Sequence, residues 1–374
     1  MEEIIFRPEL HFYKTVKEFV DACRIDKDDL VVTNRFIFEP FIEPLNVECQ
    51  TMFVEEYGTG EPTDVMVNAM IHDMKDKNVK HLFAIGGGTV LDISKVLAIA
   101  NGKDTDTLYD EMPAFTKNME LIAVPTTCGT GSEVTNIAIL NRVEKKTKKG
   151  LVGKELYADT AILVPEFLKS LPYHVFATSS IDALIHASES SLSPKATPYT
   201  KLFGYKAIEM ILKGYMRLRD EGKQILEEMY EDFLIASNYA GLAFGTAGCG
   251  PVHAMGYPLS GAYHVTHGES CYEMFMGVWE KYQKENPGGA YADYSEYVAG
   301  ILGCSLENVN QELTVLLDTI VPFKALSEYG VEENELPGYA RSVIDEQQRL
   351  MQNGFISLDY DDVLEIYQNI YKRK

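Results

Sequence analysis

The sequence predicts an α/β domain with a parallel, doubly wound sheet, followed by an all-α domain. Short apolar strands alternate with helical periods in the first part of the chain, and only long helical periods follow. In addition, glycine-rich turns follow two of the predicted strands, where sheets of this kind bind ligands. We therefore place the domains at 1–172 and 173–374, each long enough to bury its own core.

The individual elements follow from apolar runs and from the spacing of apolar residues. The predicted strands are 29–34, 51–57, 81–88 and 119–127, and helical periods at 63–77 and 89–101 separate several of them. The clearest helical periods of the second domain are 200–218, 223–247 and 341–352.

Charge and cysteine content exclude several classes of partner. A net charge of −22 excludes nucleic acid and anionic membranes, because both would be repelled. The acidic N-terminus lacks the features of a secretory signal, and the uncharged stretch 233–255 contains too many glycines for a membrane span. The six cysteines form no CxxC pair, so we expect no disulfide framework and a reducing cytoplasm.

The stretch "HLFAIGGGTVLDISK" takes a strand through three glycines into a helix. Glycines allow close approach of a ligand, and free N–H groups at a helix N-terminus attract phosphate. The pattern is neither the strict G-x-G-x-x-G fingerprint nor a P-loop. The alternative is a tight turn that Thr89 and Asp92 cap, since they have capping-box spacing.

A second loop, "VPTTCGTGSEVTN" at 124–136, also follows a predicted strand. It concentrates small hydroxyl side chains and glycines, which can line a phosphate and a planar ring. A polar turn without ligand is the alternative. Two such loops after two parallel strands predict a dinucleotide at the edge of the sheet.

The stretch "DALIHASE" places Asp182 and His186 one helical turn apart, with Cβ atoms about 6 Å apart. His253 and His267 lie at the two ends of a segment with glycines and a proline, which could fold back on itself. Any one of these histidines could instead be a hydrogen-bonded core residue. Together, one carboxylate and two or three imidazoles suit Fe(II) and Zn(II) equally.

The glycine turn, "PTTCGTGSE", "DALIHASE" and "HAMGYPLSGAYHVTHGES" resemble, in this order, four signature regions of the iron-containing (group III) alcohol dehydrogenase family. The resemblance implies a dinucleotide-binding domain and a helical domain that holds a divalent metal. The metal ligands it implies are Asp182, His186, His253 and His267. The cofactor contacts it implies are Asn34, Gly87, Gly88, Thr89, Asp92, Thr126, Thr127, Thr130 and Lys148.

The sequence departs from the family pattern at three positions. Tyr257 stands where relatives usually carry a histidine, so Tyr257 and His264 are the candidates for a catalytic proton relay. Asn34 stands where NAD-preferring relatives carry an aspartate, so NAD is favoured but NADP is not excluded. Val164 stands where relatives usually have an aspartate.

The resemblance implies a metal-dependent, NAD(P)-linked oxidoreductase that interconverts a primary alcohol and its aldehyde. The chain is most similar in appearance to members that interconvert 4-hydroxybutyrate and succinate semialdehyde, while other alcohols and diols stay open. We expect the metal to be Fe2+, with Zn2+ as the alternative. We also expect small-molecule partners and a homo-oligomeric state, namely a dimer. Two further alternatives are a cyclase resembling dehydroquinate synthases and a nucleotide sensor without catalysis. The cyclase would need basic residues near the histidines of the helical half, where few occur, and a sensor would not need the complete ligand set.

Overall fold

The computed structural model describes Ile4 and residues 6–75, 77–145, 147–263 and 265–373. The chain divides into two compact units, Phe6–Leu171 and a second unit that begins at Pro172. The predicted fold class is confirmed, because the first unit contains a parallel sheet between helices. In the second unit, the described residues form helices and their connections.

The first unit is built from short strands and helices in alternation. Its strands are β1 (Glu9–Phe12), β2 (Leu30–Thr33), β3 (Gln50–Phe53), β4 (His81–Gly86), β5 (Glu120–Pro125), β6 (Ile137–Arg142), β7 (Thr147–Val152) and β8 (Thr160–Leu163). Its helices are α1 (Val16–Cys23), α2 (Arg35–Phe41), α3 (Asp64–Met74), α4 (Gly88–Ala100) and α5 (Thr105–Glu111). The main sheet has the order β1-β8-β5-β4-β2-β3 with parallel pairs, and β6 and β7 form a separate antiparallel hairpin.

The predicted strands correspond to β2, β3, β4 and β5, whereas β1, β8 and the hairpin were not predicted. β1 is exposed at all four residues and therefore carries no buried apolar run. The hairpin includes the charged stretch "NRVEKKTKKG", in which β-propensity is low. Periodicity therefore cannot reveal β1, whereas β6 and β8 contain short apolar runs that were not predicted.

Apolar clusters cover both faces of the sheet. Leu30 and Val32 belong to one cluster, and Val31 between them belongs to the other, as the period of two in a strand requires. β4 and β5 alternate in the same way. Burial on both faces explains why these strands are continuously apolar in the sequence.

The carboxyl ends of the central strands lie side by side. Gly86 at the end of β4 pairs with Pro125 at the end of β5, and the N–H of Thr126 donates to the Gly86 carbonyl at 3.0 Å. The two glycine-rich loops are therefore neighbours at the edge where doubly wound sheets bind ligands.

The second unit consists of α6 (Tyr173–Leu192), α7 (Pro198–Glu221), α8 (Leu226–Ala247), α9 (Pro251–Tyr263), α10 (His267–Glu285), α11 (Gly289–Leu302), α12 (Val309–Ile320), α13 (Leu336–Glu346), α14 (Gln348–Met351) and α15 (Tyr360–Lys372). The predicted helix 341–352 is wrong as a single element, because the chain breaks at Gln347 between α13 and α14. The uncharged stretch 233–255 is divided between α8 and α9 at Gly248, which has a φ of 80°. No helix among the described residues is long and apolar enough to cross a membrane.

Helix α6 is buried on nearly all sides from Phe176 onward and packs against α7, α8 and α10. Small residues permit this burial, and the hydroxyls of Ser190 and Ser191 donate to the carbonyl of Ala187 within the helix. The start of α10 comes very close to α6 at Gly268, where a Cβ would collide with the carbonyl oxygen of Thr178. Glycine at this position therefore sets the distance between the two helices.

We expect Gly268→Ala to lower the free energy of unfolding by about 1–3 kcal/mol, because the added methyl forces α6 and α10 apart. The control is Gly300→Ala in α11, where an added Cβ meets no atom within 4 Å and a helix should gain slightly. Denaturant unfolding of both variants gives the comparison. Equal stability of the two variants would contradict the close approach at Gly268.

Candidate metal centre and nucleotide-binding edge

The four predicted metal ligands lie together in the helical unit. Asp182 and His186 come from α6, His253 from α9, and His267 is the first residue of α10. From the Asp182 carboxylate, the Oδ1 atom is 3.6 Å from His253 Nε2 and 3.9 Å from His267 Nε2, while Oδ2 is 3.8 Å from His186 Nδ1. The first three side chains are buried, and the His267 side chain is 32% exposed.

The chemistry of this cluster fits a divalent cation. Within the described part of the chain, the buried atoms Asp182 Oδ1 and His253 Nε2 have no hydrogen-bond partner. A buried polar atom without a partner costs about 1–3 kcal/mol, so two that face each other at 3.6 Å need a reason. A cation explains the two unpartnered atoms: nitrogen and oxygen donors surround one point, and a cation at that point would satisfy both atoms.

The His186 ring is fixed by stacking on both sides. Its centroid is 4.2 Å from that of Phe244 and 4.5 Å from that of His253, with interplanar angles of 18° and 23°. The rings of His253 and His267 are 5.4 Å apart. Stacking therefore limits the rotation of the imidazole before any ligand binds.

Glu189, the last residue of "DALIHASE", positions His253 from the opposite side. Its buried carboxylate accepts hydrogen bonds from the N–H groups of Gly250 and Val252 at 2.8 and 2.7 Å. The same carboxylate lies 2.6 Å from His253 Nδ1. Because a carboxylate accepts here, Nδ1 carries the proton of the neutral ring, which leaves the lone pair of Nε2 for a cation in the cluster.

The charges of the cluster shift the pKa values of its members. Burial would raise the pKa of Asp182, but the charges of His186, His267 and His253 outweigh it and hold that pKa well below its ordinary value. Burial would lower the pKa of His253, but the neighbouring carboxylates of Asp182 and Glu189 raise it to about 9. In the absence of a metal, a proton therefore takes part in balancing the charge of these carboxylates.

Two cysteines that the sequence argument did not select border the cluster. Cys271 Sγ lies 3.9 Å from both ring nitrogens of His267, and its sulfur groups with donor atoms of Asp182 and His253. Cys249 groups with His186 and His253 in the same way, and burial raises the pKa of its thiol well above the ordinary value. The i, i+4 spacing from His267 to Cys271 was the available signal for the first.

Of the two predicted catalytic residues, Tyr257 and His264, the structure describes only Tyr257. Helix α9 continues past Tyr257 to Tyr263, so Tyr257 lies one turn beyond His253. The ring of Tyr257 is half-buried, with its centroid 6.0 Å from that of His267. His264 lies outside the described residues. A catalytic role for either stays a prediction.

The glycine turn adopts a geometry different from the predicted capping box. Gly87 is the N-cap of α4 and has no side-chain cap, so capping by Thr89 and Asp92 is wrong. The Thr89 hydroxyl donates to the carbonyl of Gly60 instead. A Cβ on Gly88 would come within 2.8 Å of the Thr130 side chain, so the turn also needs glycine for packing.

Asp92 stabilises the second glycine-rich loop through hydrogen bonds. Its carboxylate accepts from the Ser132 hydroxyl at 2.6 Å and from the Ile139 N–H at 2.8 Å. Lys95, which the sequence argument missed, is fully buried and donates to Ser132, Thr135 and the carbonyl of Ile137. These contacts fix the loop that contains Thr126, Thr127 and Thr130 beside the glycine turn.

Lys148 and Asn34, two further predicted cofactor contacts, each have a carboxylate partner. Lys148 on β7 pairs with Glu61 at 2.6 Å. The Asn34 amide, directly after β2, donates to Glu55 at 2.7 Å. Glu55 and Glu61 were not predicted, since both lie in segments without a motif. Contact of Lys148 and Asn34 with a cofactor stays a prediction.

Both units match models of one protein family. Residues 5–165 match the model described as "Iron-containing alcohol dehydrogenase", and residues 176–371 match "Fe-containing alcohol dehydrogenase family, C-terminal". The two matches cover nearly the whole chain in the order that the sequence analysis expected.

Individual proteins are similar over the full length. A 4-hydroxybutyrate dehydrogenase of Clostridium kluyveri is 44% identical over 371 residues, which cover 99% of this chain and 100% of the relative. The structure of a sulfoacetaldehyde reductase from Bifidobacterium kashiwanohense in complex with NAD+ superimposes with a TM-score of 0.85, at 21% identity and full coverage of both chains. A 1,3-propanediol oxidoreductase structure gives 0.85 at 24% identity, over 99% and 100% of the two chains. These two structures share the fold.

We expect Glu189→Gln to weaken metal binding by about 10- to 100-fold, because an amide cannot accept all three hydrogen bonds and leaves one donor facing another. The measurement is metal loading across a chelator-buffered series of free metal concentrations. Glu209→Gln, which removes a carboxylate from an exposed ion pair on α7, should load like the parent. Parent-like loading of a folded Glu189→Gln would leave Glu189 a purely structural role.

Proposed function

Because the chain belongs to the iron-containing alcohol dehydrogenase family, we propose that it interconverts 4-hydroxybutyrate and succinate semialdehyde, with NAD as the hydride carrier. The proposed substrate rests on 44% identity over the full length of a 4-hydroxybutyrate dehydrogenase. The observation that carries metal dependence is the pair of buried atoms, Asp182 Oδ1 and His253 Nε2, that have no partner among the described residues.

In this proposal Asp182, His186, His253 and His267 hold a divalent ion, Fe2+ or Zn2+. These four side chains would hold the ion, which would supply Lewis-acid chemistry to an alcohol substrate by lowering the pKa of its hydroxyl. Glu189 keeps the proton of His253 on Nδ1, and the stack of Phe244 on His186 keeps the second imidazole in place. These contacts therefore hold the imidazoles in place before the ion binds, so its binding requires little rearrangement of the side chains.

The α/β unit holds NAD at the carboxyl edge of its sheet. The N-terminus of α4 at Gly87 and Gly88 offers N–H groups and a helix dipole to the pyrophosphate. The loop with Thr126, Thr127 and Thr130 borders this position, since Gly88 packs directly against Thr130. Hydride transfer itself is the chemistry of the nicotinamide.

Tyr257 is our candidate for handling the substrate or its proton in the helical unit. Its ring lies beside that of His267, the most exposed of the four proposed ligands. A tyrosine hydroxyl can donate to a substrate carboxylate or pass on a proton.

We also propose that the enzyme works in the cytoplasm. All six cysteines are free thiols, as a reducing compartment favours. The expected homo-oligomer, a dimer, stays a prediction.

The test of the proposed function is reduction of NAD, followed by absorbance, with 4-hydroxybutyrate, butanol and 1,3-propanediol. We expect kcat/KM to be highest for 4-hydroxybutyrate by at least about tenfold, since its carboxylate offers a contact that butanol lacks. Removal of the metal with a chelator should abolish turnover, and Fe(II) or Zn(II) should restore it. Equal use of butanol would overturn the substrate assignment, and activity in demonstrably metal-free protein would overturn the metal assignment.

Tyr257→Phe should lower kcat/KM for 4-hydroxybutyrate by roughly tenfold or more. Loss of a contact to the substrate carboxylate would raise KM for 4-hydroxybutyrate but leave butanol unchanged. Loss of a proton relay would lower kcat for both and alter its pH profile. The control is Tyr263→Phe on the same helix, whose hydroxyl bonds Glu335. If Tyr257→Phe matches the parent on both substrates, the hydroxyl has no catalytic role and the relay has to be sought at His264.

A further inference from the structure

We propose that Glu55, and not the residue that follows β2, selects NAD over NADP in this chain. The inference rests on the cofactor role proposed above and assigns its specificity to one carboxylate. It is independent of the alcohol substrate.

The strand order places Glu55 beside the expected position of the adenosine ribose. The pyrophosphate is assigned to the glycine turn after β4, and β2 is the next strand in the sheet, followed by β3. Thr33 at the end of β2 pairs with Phe53 at the end of β3, so Asn34 and the short 3₁₀ helix Val54–Glu56 leave the sheet at the same level. In dinucleotide-binding folds, a carboxylate near this strand end binds the ribose hydroxyls.

In this chain, the carboxylate at this level is Glu55. Asn34 Nδ2 donates to Glu55 Oε2 at 2.7 Å, and the backbone N–H of Arg35 donates to Glu55 Oε1 at 2.6 Å. These two bonds hold the half-buried carboxylate against the end of β2. A carboxylate offers about four acceptor positions, so it can also accept from a ribose hydroxyl.

The same carboxylate opposes a 2′-phosphate, because two anions at close range repel each other. NADP differs from NAD by that phosphate at the 2′-hydroxyl. Glu55 therefore discriminates in both directions, by a hydrogen bond to the hydroxyl and by repulsion of the phosphate.

Arg35 is the residue that could favour NADP instead, since a guanidinium binds phosphate well. Its guanidinium is already occupied by an ion pair with Glu56, lies 4.0 Å from Glu39 and sits 4.2 Å above the Phe53 ring. Two carboxylates, Glu39 and Glu56, thus lie near the Arg35 guanidinium, and a third, Glu55, accepts from the Arg35 backbone N–H. The balance of charge at this edge is negative, which favours the cofactor with the smaller charge.

The experiment measures dissociation constants of NADH and NADPH by cofactor fluorescence, for the parent, Glu55→Gln and Glu43→Gln. Glu43 is an exposed residue in the 3₁₀ helix after α2, and its variant carries the same charge change. We expect the parent to bind NADH about 100-fold more tightly than NADPH, and Glu55→Gln to reduce this ratio at least about tenfold. Glu43→Gln should keep the parental ratio.

The outcomes separate this proposal from the proposed function, since no alcohol is needed. An unchanged ratio in Glu55→Gln, with tight NADH binding, would overturn the role of Glu55 and leave the dehydrogenase assignment intact. Tighter binding of NADPH than NADH by the parent would overturn it in favour of Arg35. If the parent bound neither cofactor, both proposals would fail.

Discussion

The burial of the Asp182 carboxylate inside the helical unit is the constraint on which the candidate metal centre depends. A buried charge is costly unless opposite charges or donors compensate it, and Oδ1 finds no donor among the described residues. Three imidazoles gather around it, from α6, α9 and α10. The helices have to approach closely for this, which requires Gly268 against α6 and Gly256 against the backbone of Cys271. Helix packing in this unit is thus adapted to the charge at its centre.

Each unit fixes the loop next to its proposed ligand with one buried charged side chain. In the helical unit, Glu189 accepts from two backbone N–H groups at the start of α9 and from His253. In the α/β unit, Lys95 donates to two hydroxyls and a carbonyl of the segment from Ser132 to Ile137. Burial lowers the pKa of Lys95, and the carboxylates of Asp92 and Glu133 oppose that effect. Such networks are rigid because leaving any member unsatisfied is costly.

The sequence predicts those parts of this structure that periodicity or local spacing encodes. The central strands and α4 follow from apolar runs, and Asp182 with His186 from a spacing of four. His253 and His267 were candidates because a segment that could fold back on itself separates them, and the resemblance to a family implied that both join Asp182 and His186 as ligands. The carboxylates Glu189 and Glu55 were missed, because their partners are distant along the chain, 64 residues away for His253 and 21 for Asn34. Only the folded chain shows which of its many acidic residues face a candidate site.

The strong negative charge of the chain bears on how it can bind an anionic dinucleotide. Lys148, the one lysine among the predicted cofactor contacts, is paired with Glu61, so much of its charge is already compensated. In the proposed cofactor site, backbone N–H groups at Gly87 and Gly88 and the dipole of α4 would attract the phosphates, and this attraction needs no cationic side chain. A cradle of this kind suffices for the pyrophosphate of NAD. It offers no countercharge to a third phosphate, and Glu55 and Glu56, which follow β3, would repel one. The acidic surface and the proposed preference for the less charged cofactor would therefore follow from the same distribution of charge.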